Sequence, residues 1–187
     1  MHRNQAGRSW ISKAAVYSLS SAFAGLAAGA ILGALGSLLP LDFRLAAASI
    51  LAIAAVAVGG LEVFGRCIQP LQPDCETPQR WVHRGPLAWA IQNGLTLGFG
   101  AASRIGFWLW YAIPLGAFLV GDPAFGAVIY GAYGLIRALG AVFILLGIFR
   151  FKVDISDWLI ARYDTARVLA AGQLVFLGVA SAIVVGL

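Results

Sequence analysis

Residues 124–149 read AFGAVIYGAYGLIRALGAVFILLGIF, an apolar run interrupted by one charge, Arg137. A helix rises 1.5 Å per residue and the hydrocarbon core of a bilayer is about 30 Å thick, so this run is long enough to cross it. It shows no period-two alternation of polar and apolar residues, which favours a helix over a barrel strand. Four other stretches share this character: Ala14–Leu39, Arg44–Phe64, Leu87–Leu119 and Ala166–Leu187. The sequence therefore predicts an all-α integral membrane protein, a bundle of about five transmembrane helices forming a single domain over residues 1–187.

Composition points the same way. Of 187 residues, 60% are hydrophobic and 11% charged, against roughly 25% charged in soluble domains. The mean hydropathy is +0.86. These values exclude a soluble globule, a disordered tail and a disulfide-stapled secreted module. The net charge of +5 is spread over the connections with no dense Lys/Arg stripe. The expected partner is thus the lipid bilayer and not nucleic acid.

Basic residues set the orientation. Arg3, Arg8 and Lys13 precede the first run, Arg66, Arg80 and Arg84 follow the second, and Arg150, Lys152, Arg162 and Arg167 surround the last connection. The alternate connections carry only Arg44 and, at Gly121-Asp122-Pro123, no base. Because basic loops stay on the cytoplasmic side, the pattern predicts an inner-membrane protein with its N-terminus in the cytoplasm and its C-terminus outside. Ala22-Phe23-Ala24 after a basic start has the form of a signal cleavage site. The apolar stretch continues to Leu39, as a retained span does.

The third run is too long. As one straight helix Leu87–Leu119 would extend about 50 Å, and an ordinary tilt absorbs little of the excess. Either Leu87–Gly94 or Ile113–Leu119 lies outside the core, or the helix breaks. The break candidates are Gly98-Phe99-Gly100 and Pro114, whose ring removes the bond to the Trp110 carbonyl. A re-entrant sixth piece is the further alternative. In 151–163, Phe151, Ile155, Trp158, Leu159 and Arg162 recur at helical spacing, which predicts a short interfacial helix. Trp108, Trp110 and Tyr111 read as an outer aromatic belt.

Arg137 falls near the middle of its run, where an arginine costs roughly 2.5–3.5 kcal/mol. Two readings stand: an arginine bonded to neighbouring helices for assembly, or a cation facing a cavity that takes a small anion. Arg104 and Glu62 are the candidate gating or neutralising groups, and Gln92 and Asn93, with Thr96 and Ser103, could line the same path. Glu62 is the one acid inside a run. Cys67 and Cys75 share the 65–86 connection with His83, at a spacing unlike a zinc site and without C-x-x-C. They read as reduced structural thiols or, alternatively, a redox dithiol. No nucleophile elbow, P-loop, dinucleotide fingerprint or H-E-x-x-H helix occurs, so no catalytic residue, cofactor or metal is expected.

Glycines lie mostly inside the runs, where small residues let helix backbones approach. Gly25, Gly29 and Gly33 form one such face, and Gly94 and Gly98 another. The pattern Gly-Leu-x-x-Gly at Gly25 and Gly94, each followed by a proline (Pro40, Pro114) and a further span, resembles the transmembrane thiol–disulfide carriers of cytochrome c maturation. The resemblance covers the first four runs. It implies electron transfer across the membrane through paired cysteines towards a thioredoxin-like partner. Those carriers place a cysteine beside helix-breaking prolines in two spans. Here Ser37–Pro40 and Tyr111–Pro114 contain none, and no functional residue carries over. The leading expectation is a bundle that binds or transports a small anionic solute. The alternatives are a thiol-redox protein and a non-catalytic assembly subunit, working as a homo-oligomer or with a membrane partner subunit.

Overall fold

The computed structural model describes residues 2–66, 85–100, 107–151 and 155–185. Among these the regular structure is entirely helical: α1 (His2–Ser37), α2 (Leu41–Val63), α3 (Pro86–Phe99), α4 (Ala112–Val120), α5 (Pro123–Phe151) and α6 (Ile155–Val185), with a 3-10 turn, Trp108–Tyr111, leading into α4. Among the described residues four segments are long and apolar enough to cross a membrane: Trp10–Ser37, Leu41–Val63, Pro123–Gly147 and Arg162–Val184. This architecture is compatible with a multi-pass membrane protein.

The fifth crossing, expected over Leu87–Leu119, is not one helix. α3 has 14 residues and α4 has 9. At 1.5 Å per residue they reach about 21 and 14 Å, each short of a bilayer core. The break falls at the glycine pair. Gly100 closes α3 with φ +78°, a conformation open to glycine and strained for other residues, and its N–H returns to the Thr96 carbonyl. Pro114 breaks nothing. It is the third residue of α4, where the N–H that proline lacks has no partner within the helix.

The separate interfacial helix expected near 151–163 is also replaced. α5 ends at Phe151, and α6 starts at Ile155 and continues to Val185. Residues 155–165 contain neither glycine nor proline, so nothing stops the polar turns from joining the apolar ones. α1 likewise begins at His2, well before the apolar run at Ala14. At the other end of the molecule Asp122 starts α5, its Oδ1 accepting the N–H groups of Ala124 (2.8 Å) and Phe125 (3.2 Å).

Glycine seams hold the bundle. A methyl group on Gly25, Gly29 or Gly33 would run into the backbone carbonyls of Tyr130, Gly126 and Asp122 respectively. α1 and α5 are therefore antiparallel and in backbone contact along one face, as small residues permit. Gly94 meets Tyr17, and Gly98 meets Ser21, so α3 runs parallel to α1. α4 continues in the same direction and brings the Phe118 carbonyl against Gly36. Gly59 against Ala171 and Gly178 against Ala52 make the corresponding seam between α2 and α6. The molecule is thus a cluster of α1, α3, α4 and α5 with an α2–α6 pair, the two joined through α4 and the 3-10 turn.

A polar cluster beside the broken segment

α5 carries Tyr130, Tyr133 and Arg137 at i, i+3 and i+7, a spacing that places them along one side of a helix. The Arg137 guanidinium donates a hydrogen bond to the Tyr133 phenol, and its Cζ lies 5.9 Å from the Tyr133 ring centre. The phenols of Tyr130 and of Tyr17, on α1, lie within electrostatic reach of the same cation. Tyr130 and Tyr133 meet edge to face at 6.1 Å. The cluster sits near the middle of the Pro123–Gly147 segment.

The end of α3 docks into this cluster. A helix terminus leaves its last carbonyls without intrahelical partners. Tyr130, only 2% exposed, donates its hydroxyl to one of them, the Phe99 carbonyl, at 3.1 Å. Ser21 of α1, with no exposed surface, donates to the Gly134 carbonyl at 2.8 Å. Trp110 packs over Gly100, where a side chain would meet the indole at 2.6 Å and the Tyr130 hydroxyl at 3.0 Å. Trp110 thus lies at the break, in the 3-10 turn that leads into α4. Trp108 and Trp110 each pack against Tyr111, at 5.4 and 5.0 Å.

The remaining candidates are placed as follows. Gln92 and Asn93 lie on α3, both half-buried. Asn93 donates back to the Trp89 carbonyl and Thr96 to the Gln92 carbonyl, each at 2.8 Å. These groups satisfy their own helix, as short polar side chains in helices often do. Glu62 belongs to the other half of the molecule. It is 3% exposed and faces Arg167 of α6, which also reaches Asp164 at 3.6 Å. Arg104, Ser103, Cys67, Cys75 and His83 lie outside the described residues. Thiol carriage would rest on those two cysteines. Among the described residues no group of three His, Cys, Asp or Glu side chains has the arrangement of a metal site.

The tyrosines are what sequence reasoning missed. The Tyr130–Tyr133–Arg137 spacing was available in the chain, whereas Tyr17 joins only through the α1–α5 seam. Together the groups form a cation beside three phenols, of which Tyr130 gives its one O–H to the Phe99 carbonyl. No protein-family model matches the chain, and no curated protein or solved structure does.

Proposed function

We propose that this chain is a multi-pass membrane protein, with its N-terminus in the cytoplasm, that binds a small anionic solute at Arg137 and carries it across the bilayer. The observation that supports this reading is the Arg137 cluster itself: a guanidinium hydrogen-bonded to Tyr133, with Tyr17 and Tyr130 in electrostatic reach, at mid-length of an apolar helix. An ionisable group at that depth is by default a functional-site hypothesis, solute paths being one of its uses. Guanidinium and phenol donors together suit carboxylate, phosphate or sulfate oxygens. The neighbouring break between α3 and α4 supplies backbone groups at the same level, as broken helices do in transporters. α3 and α4 together then make one interrupted crossing, giving five in all.

The test is flux. Purified protein in proteoliposomes is given radiolabelled phosphate, sulfate or acetate, and uptake is compared with protein-free vesicles. Uptake of at least one anion by the native chain is expected, with at least a tenfold loss in Arg137→Ala and partial retention in Arg137→Lys. Equal uptake by Arg137→Ala, or none by the native protein, overturns the reading.

A further inference from the structure

α2, α4 and α6 border an open-sided cavity of about 360 Å³. That volume falls within the range of small-molecule sites, about 300–1,000 Å³. Its walls are almost wholly apolar, with Ala48, Ala52 and Ala55 on α2 facing Leu115 and Gly116 on α4, and Ser181 among its few polar side chains. Gly116 opens directly into it: a side chain built there meets nothing within 4 Å. None of the described residues fills this space.

A cation stands just beyond one end, outside the lining itself and against Gly121. Arg44 is one helical turn before Ala48, on the same side of α2. Its Nη1 donates to the Val120 carbonyl at 2.5 Å and the Leu119 carbonyl at 3.4 Å, and Leu119 itself lines the cavity. Its Nε is buried and has no hydrogen-bond partner among the described residues. A buried donor left unsatisfied is costly, and here it belongs to a charged group. The required occupant has an apolar body for the alanine-lined cavity and an anionic oxygen at its end for Arg44. A phospholipid has both, in the order and on the scale that the site presents.

We propose that this cavity holds one acyl chain of an anionic phospholipid, with the lipid phosphate at Arg44. The inference needs the membrane placement of α2 and α6 but not the anion transport assigned to Arg137. Such a lipid is distinct from the bulk bilayer because it is held on three sides and anchored by charge, so it stays bound when the protein leaves the membrane.

Native mass spectrometry of the full chain tests this, after reconstitution in equal parts phosphatidylglycerol and phosphatidylcholine and extraction into mild detergent. The native protein is expected to retain one phosphatidylglycerol. Gly116→Leu, which fills the cavity, is expected to lower the retained fraction by about tenfold, a 1.4 kcal/mol change. Gly140→Leu adds the same side chain at another position where a glycine Cβ has open space, outside the cavity lining, and is expected to retain the lipid. Arg44→Gln is expected to remove the preference for phosphatidylglycerol over phosphatidylcholine. Bare protein, a second copy of the chain in place of lipid, or equal retention by Gly116→Leu overturns the proposal. Phosphatidylglycerol with a diazirine in its acyl chain gives a readout independent of any variant. Labelling concentrated on α2, α4 and α6 supports the site, and labelling spread evenly over all helices refutes it. Anion uptake through Arg137→Ala proteoliposomes is a separate measurement, so the two readings can fail independently.

Discussion

The Tyr130 hydroxyl of α5 donates to the Phe99 carbonyl of α3 at 3.1 Å, so a side chain on one helix completes the backbone of another where that helix stops. In an apolar surrounding the bond has no water to replace it. Tyr130→Phe keeps the ring and its edge contact with Tyr133 while removing the donor. It is expected to lower stability by about 1 kcal/mol, measured as a shift in detergent unfolding. An unchanged midpoint would show that the carbonyl finds another donor.

Gly100 turns the chain at the same point. Gly100→Ala would force a non-glycine residue to φ +78° and press a methyl group onto Trp110. Strain of about 1–2 kcal/mol adds to the overpacking. This substitution is expected to destabilise more than Tyr130→Phe in the same unfolding assay, and the reverse order would place the weight of the break elsewhere.

The α1–α5 seam makes a position-specific prediction. Gly29→Ala collides with the Gly126 carbonyl, whereas Gly140→Ala and Gly172→Ala meet nothing. The first is expected to cost about 1–3 kcal/mol by overpacking. The other two are expected to be neutral or slightly stabilising, because alanine is the better helix former. Thermal unfolding of the three variants side by side checks the order.

Glu62 and Arg167 face each other across the α2–α6 seam. Removing either charge alone leaves the other with poor compensation, while removing both leaves neither. A cycle of Glu62→Gln, Arg167→Met and the double variant is expected to show a coupling of about 0.5–3 kcal/mol. Strict additivity would mean that the two charges do not sense each other.

Much of this fold was legible in the chain. Four of the five apolar runs contain a helix long enough to cross, because continuous hydrophobicity and length are properties of local sequence. The conflict in Leu87–Leu119 was legible too, since 50 Å of helix does not fit in 30 Å of hydrocarbon. Choosing Gly100 over Pro114 was harder. A proline stops a helix only where its N–H would have been used, and that depends on where α4 begins. The polar turns at 155–163 misled for a related reason: polarity changes where a residue sits, while glycine and proline decide whether the helix ends.

The site was legible in part. Arg137 announced itself as a charge in an apolar run, but its tyrosine surroundings depend on which helix faces which. Glu62 read as a gating or neutralising group because it was the one acid inside a run. Pairing α2 with α6 sends it to Arg167. Helix partners are tertiary information, carried here by Gly59 against Ala171 and Gly178 against Ala52, glycines whose role on paper is indistinguishable from that of the others.

The pairing of α2 with α6 has a bearing on how the chain is made. Translation delivers α2 well before its main neighbour α6, since chains are synthesised from the N-terminus onwards. Until α6 emerges, the Glu62 carboxyl lacks Arg167, and the α2 seam at Ala52 and Gly59 lacks the helix that faces it. Products truncated before α6 therefore display an acidic residue without its basic neighbour and a half-built hollow to whatever membrane quality control surveys.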